Sequence, residues 1–390
     1  MDVRIIKKKD RIEDLIFKGE KILEVYLPTE SGANLYDLSL YNPDKNTVTD
    51  IVPDIEKQMF LPVNNCLWES TVSFYVSCVH DNAGIHIDFY RHNLEAGAPE
   101  RILTIDGDEL IIQRKKHLRI FALAENQLLV QTEMRSDDTL DESTGNIMFS
   151  ANLYNTDTGQ CALVSDSNLT SNGINSVIPV SSNSIMVKTG FSFLEDDRLK
   201  MNTESDALVE NVYYGTMSGF ISGLQIGNAF SGFRILATAF FDKFIASPIV
   251  RGDYIIFSIY DPKDMKAESV FYNSEIDEVV RCMNEGVEKN DLPLAFLIDN
   301  KPYVRTRVDE RTIFYNVAGD ENDYVFFDET FEDVQGKLFI FHRKRGRRNF
   351  VRIYKAPRLE LIHEEKGYYN MGISKDEKYY IYVKDTPREC

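Results

Sequence analysis

The cysteines of this chain are few and scattered, which excludes two common ways of stabilising a fold. They are odd in number and form no Cys-x-x-Cys pair, so neither a disulfide framework nor a zinc site is predicted. The opening residues, MDVRIIKKKDRIEDLIF, lack the apolar core of a signal peptide. We therefore expect a reducing, cytoplasmic location. The five cysteines are Cys66, Cys78, Cys161, Cys282 and Cys390.

Long apolar runs are also missing, since no stretch reaches the roughly 18–20 residues that a membrane helix needs. The nearest approach, segment 211–233, has no charged residue but contains five glycines and several hydroxyl and amide side chains. It is too polar for lipid, so we predict a buried sheet segment and no membrane partner. Glycine at every fourth position from Gly215 to Gly227 predicts either one crowded strand face or a flexible loop capping one end of the fold.

Positive charge is scarce, with 44 Lys and Arg against 62 Asp and Glu and a net charge of −18. Such a surface repels phosphate backbones, so no nucleic-acid partner is predicted. Segment 342–352, HRKRGRRNFVR, is the exception and is called the basic hairpin below. One interpretation is a hairpin tip that grips an acidic partner or a phosphate. The other is a solvated turn that offsets the acidic stretch 320–333.

The short strands of the sequence recur in a regular order. Apolar or aromatic runs, each preceded by a polar turn, recur along the chain, and the first five begin about 50–70 residues apart, an irregular but persistent period typical of four-stranded repeats. Four further segments share a second pattern: apolar and polar residues alternate up to a Tyr, polar turn residues follow, and a short apolar strand comes last. These segments are 35–52, 85–106, 149–166 and 350–365. The recurrent runs are KILEVY (21–26), SFYVSCV (73–79), QLLVQT (127–132), SIMVKT (184–189), YIIFSIY (254–260), KLFIFH (337–342) and KYYIYVK (378–384).

This repetition predicts an all-β fold, a β-propeller of about seven four-stranded blades in one domain, 1–390, with six or eight blades left open. A ring of blades needs closure to remove its sheet edges. Segment 3–9, VRIIKKK, can supply an outer strand to the final blade and so join the two ends of the chain.

Two segments resemble blades of known propellers. MGISKDEKYYIYVK (371–384) and IVRGDYIIFSIYD (249–261) are similar to the turn and apolar strand that begin TolB-like and WD40-like blades. The turn at 374–378 departs from that pattern because it has neither Pro nor Gly, and no Trp-Asp dipeptide closes any unit. The resemblance implies the fold and no particular activity.

Two insertions interrupt the predicted repeat. In 274–290 the apolar residues Ile276, Val279, Val280, Met283 and Val287 follow a helical spacing, and Ser274 with Asp277 resembles a capping box, so a short amphipathic helix is predicted. Segment 319–336, GDENDYVFFDETFEDVQG, is predicted to be an acidic, aromatic loop.

Catalytic and metal-binding motifs are absent from the linear sequence. It contains no Gly-x-Ser-x-Gly and no His-Glu-x-x-His, and the acidic groups 106–109, 137–138 and 195–197 lack the alternating oxygens of a calcium loop. His86 and His92 lie about 20 Å apart along one predicted strand and cannot share an ion. No metal, cofactor or catalytic residue is therefore predicted.

The function that these observations favour is a non-enzymatic propeller that binds a protein partner or a small-molecule ligand. Two alternatives stay open: a hydrolase or lyase that acts on a small molecule or peptide in the central channel, and a propeller that regulates a separate catalytic partner. The sequence does not predict an oligomeric state. Candidate contact surfaces are the predicted 274–290 helix, the acidic stretch and the basic hairpin. The candidate binding residues are Arg343, Lys344, Arg345, Arg347, Arg348, Tyr324, Phe326 and Phe327.

Overall fold

The fold is described from a computed structural model. The described residues are 2–6, 14–18, 22–28, 36–42, 44–51, 59–68, 70–81, 84–94, 98–106, 118–135, 147–190, 209–240, 243–319, 321, 323–327, 329–345, 348–366, 371–373 and 379–383. At a few strand positions among them only the backbone is described.

Strands dominate the first half of the described chain. They are β1 (Asp2–Ile6), β2 (Asp14–Lys18), β3 (Ile22–Pro28), β4 (Tyr36–Asn42), β5 (Thr47–Ile51), β6 (Met59–Pro62), β7 (Asn64–Asn65), β8 (Val72–Asp81), β9 (Gly84–Asn93), β10 (Glu100–Asp106), β11 (Leu118–Ala124), β12 (Gln127–Arg135), β13 (Ile147–Asn155) and β14 (Gln160–Leu163). A short helix, α1 (Ser167–Asn172), follows, and then β15 (Ile174–Pro179), β16 (Ser184–Thr189) and β17 (Glu210–Thr216).

The second half continues in the same way after one further helix, α2 (Met217–Ile226). Its strands are β18 (Arg234–Ala239), β19 (Phe244–Arg251), β20 (Tyr254–Asp261), β21 (Lys266–Asn273), β22 (Glu278–Glu285), β23 (Ala295–Ile298), β24 (Lys301–Val308), β25 (Arg311–Asn316), β26 (Tyr324–Phe327), β27 (Thr330–Gln335), β28 (Leu338–Arg345), β29 (Arg348–Lys355), β30 (Glu360–Lys366), β31 (Met371–Ile373) and β32 (Tyr379–Val383). A single 3₁₀ turn, Lys289–Asp291, precedes β23. Among the described residues, no helix is long and apolar enough to cross a membrane.

The described strands form eight sheets in chain order. Blades 1 to 7 contain β2–β5, β6 with β8–β10, β11–β14 with the short β7, β15–β18, β19–β22, β23–β26 and β27–β30. The strands that follow one another within a blade pair antiparallel, so each blade is a meander. Blade 8 contains β31, β32 and β1. Consecutive four-stranded meanders of this kind are the blades of a β-propeller, and the predicted fold class is confirmed.

The ring closes through β1. This strand pairs parallel with β32, from Asp2 opposite Tyr379 to Ile6 opposite Val383, at the edge of the sheet away from β31. The first strand of the chain therefore completes the last blade, as predicted for segment 3–9. Its pairing covers the edge of β32, and β1 becomes the outer strand of the blade.

Apolar side chains fill the spaces between neighbouring blades. The junction of blades 6 and 7 is mostly aromatic, and Phe314, Phe339 and Phe341 are fully buried there. The rings of Phe314 and Phe339 meet edge to face, with 5.1 Å between their centroids. Edge-to-face aromatic pairs add about 0.5–1.5 kcal/mol each beyond the area they bury.

A buried ion pair joins blades 4 and 5. Lys188 on β16 and Glu210 on β17 have side chains that are only 1% and 5% exposed, and Nζ lies 3.5 Å from Oε1. Both reach across to one residue of β19: Lys188 donates a hydrogen bond of 2.8 Å to the Ile245 carbonyl, and Glu210 accepts one from the Ile245 amide. The two side chains thus pair with both the carbonyl and the amide of Ile245, as the backbone of a neighbouring strand would.

Blade 6 is the sheet that the repeat count did not include. Its second strand, β24, contains one Lys, two Arg and one Thr among eight residues and therefore does not form an apolar run. Eight sheets, one of the numbers left open, are formed by the described residues. The prediction of a loop over 319–336 is wrong: β26 is the outer strand of blade 6, and β27 is the first strand of blade 7. The two adjacent acids of β27, the exposed Glu332 and the partly buried Asp333, hide the alternation.

The predicted helix over 274–290 is also wrong. Residues 278–285 form β22, which pairs with β21 along its full length and places Val279 opposite Tyr272. Ser274 does not cap a helix, since its hydroxyl donates to the Asp253 carbonyl. The side chain of Asn273 instead accepts from the amide of Glu275 and forms a tight turn.

Segment 211–233 is only partly a sheet. β17 ends at Thr216, whose hydroxyl accepts a hydrogen bond of 3.1 Å from the Gly219 amide and caps α2. Gly223 is required by close packing, since a Cβ there would lie 2.5 Å from the Asn228 carbonyl oxygen. Neither a strand nor a loop is formed by residues 217–226. The sequence did not indicate a helix because glycine lowers helix propensity, but burial of Phe220 and Leu224 stabilises this one.

Candidate functional site

The basic hairpin extends from one side of the ring. It contains the ends of β28 and β29, which stay paired as far as Arg345 opposite Arg348. Because each blade is a meander, its turn between the second and third strands lies on the same side as the connection from the preceding blade. The hairpin of blade 7 is therefore beside the connection from β26 to β27, which contains Glu329.

Glu329 anchors the base of the hairpin. Its side chain is 3% exposed, and its Oε1 atom contacts the Arg352 guanidinium of β29. The Tyr354 hydroxyl donates a hydrogen bond of 2.8 Å to the same oxygen. The guanidinium of Arg343, the first arginine of the hairpin, lies 3.9 Å away. One buried carboxylate therefore holds groups from both strands of the hairpin.

A second carboxylate and an aromatic ring complete this arrangement. Arg352 Nε lies 2.7 Å from a carboxylate oxygen of Glu364 on β30, and the guanidinium lies 5.4 Å from the centre of the Tyr354 ring. Burial, followed by the hydrogen bond to Glu329, raises the pKa of Tyr354 to about 12. Its hydroxyl thus remains protonated and keeps its role as donor across the physiological range.

Another acid contacts the histidine that begins the hairpin. His342 Nε2 lies 3.1 Å from a carboxylate oxygen of Glu332 on β27. The hydrogen bond with His342 lowers the pKa of Glu332. The acids of blade 7 therefore contact His342, Arg343 and Arg352 at the base of the hairpin.

The rest of the predicted basic residues lie nearer to the tip. Lys344, Arg345 and Arg348 occupy strand positions in β28 and β29, while Arg347 lies outside the described residues. The side chains of all four also lie outside the described part of the chain. In the sequence, only Gly346 interrupts these four basic residues.

The three predicted aromatic residues fall on opposite faces of β26. Tyr324 and Phe326 are buried, and the ring of Phe326 lies 4.2 Å from that of Phe341. Both belong to the core between blades 6 and 7, which corrects their assignment to a binding surface. Phe327 points the other way, because successive strand residues alternate, and it is 60% exposed.

Phe327 belongs to an apolar strip that the sequence analysis did not find. The strip, called the outer strip of blade 6, consists of Val308, Tyr315, Val325 and Phe327, each at least 37% exposed. Its members share one face of the sheet, on which Arg311 lies between Val308 and Phe327, and Ile313 lies opposite Val325. All four residues of YVFF (324–327) are apolar, so a strand over them must place apolar side chains on both faces, and this is the signal that could have identified the strip.

Other polar groups do not form a comparable site. His92, on β9, is buried and lies 2.8 Å from the Tyr75 hydroxyl, whereas His86 lies 3.8 Å from Asp88. No group of three or more His, Cys, Asp or Glu suited to a metal ion occurs in the part of the chain that the structure describes. The basic hairpin with the outer strip is therefore the best-defined candidate surface.

Comparison with known proteins gives likenesses of fold only. No protein-family model and no curated protein matches the sequence. Among solved structures, the chain is similar to the Dos1 propeller, with 9% identity, a TM-score of 0.47 and coverage of 92% of this chain and 86% of that one. An oligogalacturonate lyase in complex with manganese gives 10% identity, a TM-score of 0.45 and coverage of 87% and 86%.

The β-propeller domain of the Trilobed protease from Pyrococcus furiosus is also similar, with 11% identity, a TM-score of 0.41 and coverage of 92% of this chain and 95% of that one. All three TM-scores lie below 0.5, so these likenesses carry no argument about activity. The assignment as a β-propeller is made from the order and pairing of this chain's own strands.

Proposed function

We propose that this β-propeller is a binding module that holds an acidic segment of a partner protein at the basic hairpin. The observation that carries the proposal is the anchoring of the hairpin by Glu329, which contacts Arg352 and Tyr354 and lies near Arg343. Because the base of the hairpin is already held, its residues lose less conformational entropy when a partner binds there. A solvated turn, the alternative interpretation, does not require a buried carboxylate at its base.

Electrostatics favours an acidic partner in spite of the net charge of −18. At physiological ionic strength the screening length is about 8 Å, so a docked segment responds mainly to the charges beside it. Those charges are Arg343, Lys344, Arg345, Arg347 and Arg348. Arginine also forms paired hydrogen bonds with carboxylates, so the contact is directional as well as attractive.

The test is affinity capture from native lysate with the full chain, compared with a variant in which Arg345, Arg347 and Arg348 are replaced by Ser. We expect one or more acidic proteins to be retained by the wild type, released by raising the salt concentration, and lost from the variant. A matched control replaces three exposed basic residues elsewhere, Arg251, Lys263 and Arg358, by Ser and changes the net charge equally.

The control variant should retain the same partners as the wild type. Equal retention by the hairpin variant, with unchanged thermal stability, would contradict the proposal and leave the solvated-turn interpretation. The hydrolase or lyase alternative stays a prediction, since no observation on the described residues favours it.

A further inference from the structure

We propose that β26 accepts an extended segment of a partner protein as an additional strand of blade 6. This inference rests on the proposed function, because the acidic end of the segment would contact the basic hairpin. It adds the mode of binding and the chemistry of the segment, namely apolar residues at alternate positions followed by acidic residues.

The edge of β26 suits the addition of a strand. β26 is the last strand of its sheet, and within the described residues it pairs only with β25. Edge strands are normally protected by charged residues or proline, because their free backbone groups pair readily with another chain. β26, with the sequence YVFF, has neither. The outer strands of the adjacent blades, β22 and β30, both carry charged residues.

The outer strip of blade 6 supplies the side-chain contacts. Val325 and Phe327 are exposed on one face of β26, and Val308 and Tyr315 extend the same face across the sheet. A strand added to the edge places every second side chain on this face. Apolar residues at alternate positions of the partner would therefore cover the strip.

The basic hairpin determines that acidic residues suit one end of the added strand. Glu329 follows Phe327 by two residues, so their Cα atoms are at most about 7 Å apart. Glu329 in turn lies 3.9 Å from the guanidinium of Arg343. A segment that runs past Phe327 thus reaches the hairpin within a few residues, where carboxylates complement its charge.

A partner segment fits this edge better than a second copy of the chain does. β26 is four residues long, and a stable interface between two copies needs about 1,200–2,000 Å² of buried surface. A short partner segment does not need an interface of that size, and its carboxylates complement the charge of the basic hairpin.

The probe is a display library of random twelve-residue peptides, selected on the purified full chain. The test variant carries V325T and F327T, which remove apolar surface and place β-branched side chains suited to a strand at both positions. The matched control carries I276T and M283T, two exposed apolar positions in and beside the outer strand of blade 5. We expect selected peptides to combine alternating apolar residues with an acidic end.

Their affinity should fall at least tenfold for the V325T/F327T variant and remain unchanged for the control. N-methylation of alternate backbone amides in the best peptide should abolish binding, because strand pairing needs those N–H groups. Equal binding by the N-methylated peptide, no selective loss with V325T/F327T, or no enrichment above that variant would overturn the inference. A dimer that dissociates on V325T/F327T substitution would overturn it in favour of a second copy.

The hairpin variant with Ser at 345, 347 and 348 separates this inference from the proposed function. Peptides that still bind this variant but need Val325 and Phe327 would support strand addition and contradict the role of the hairpin. Peptides that need the hairpin but not the strip would support the proposed function and overturn strand addition.

Discussion

Replacement of Lys188 by Met should destabilise the protein by about 3–5 kcal/mol, the usual cost of removing one partner of a buried ion pair. Met has a similar length and fills the same space, so the change mainly removes charge and one hydrogen bond. The side chains of Lys188 and Glu210 are 1% and 5% exposed, so water can replace neither contact. The Ile245 carbonyl also loses its 2.8 Å donor.

A double-mutant cycle provides the magnitude that tests this reasoning. E210Q should be comparably destabilising, because it leaves the Lys188 charge buried without its carboxylate. The double variant K188M/E210Q removes both charges and should cost at least about 1 kcal/mol less than the sum of the two single variants. An exposed pair serves as the control: Lys243 lies 3.3 Å from Asp261 with its side chain 44% exposed, and K243M should cost about 0–1 kcal/mol.

The assay is urea unfolding followed by circular dichroism and by fluorescence of Trp68, and coincidence of the two transitions supports a two-state analysis. Hydrogen exchange of the Ile245 amide, which donates to Glu210, reports the same junction locally. Strictly additive effects in the cycle, or a cost of K188M no greater than that of K243M, would refute the claim that this pair joins blades 4 and 5.

Two further predictions concern single positions. Gly223→Ala should destabilise the protein by about 1–3 kcal/mol because the added Cβ would lie 2.5 Å from the backbone oxygen of Asn228. Thermal unfolding measures this cost, and the control is Ser222→Ala at the exposed neighbouring position, which should stay within about 0.5 kcal/mol of wild type. Burial lowers the pKa of His363 despite the nearby Glu365, so the folded state disfavours its charged form. Its contribution to stability is present above the ordinary pKa of about 6.5 and is lost as pH falls through the folded pKa. Wild type should therefore lose more stability than His363→Gln between about pH 7.5 and 5, and parallel pH profiles would contradict this.

Most of the propeller could be predicted because its hairpins are local. Antiparallel neighbours are joined by short turns, so alternation within about 20 residues already specifies a pair of strands. Blade 6 was missed because Arg305 and Arg307 interrupt the apolar pattern of β24, and because the acidic residues on β27 resemble a loop. The order of the segments was thus easier to predict than the identity of each strand.

Only part of the candidate site could be predicted from the sequence. The basic hairpin is a local excess of charge, which composition reveals directly. Glu329 is one of several acids in the stretch 320–333, and nothing local distinguishes it. Its role depends on the neighbouring blade, which brings Arg352 and Tyr354 to it. The opposite exposures of Phe326 and Phe327 likewise follow from packing against blade 7 rather than from composition.

The pairing of β1 with β32 has a consequence for synthesis in the cell. β1 is translated long before its partner strand β32, because blades 1 to 7 lie between the two strands in the chain. Those blades can form one after another during translation, since their strands follow in chain order and only the short β7, which lies between β6 and β8 but pairs in blade 3, interrupts that order. β1, which contains Val3, Ile5 and Ile6, must wait for its partner until β32 has been made. The nascent protein is therefore most exposed to aggregation, and most in need of chaperones, in the interval before the ring closes.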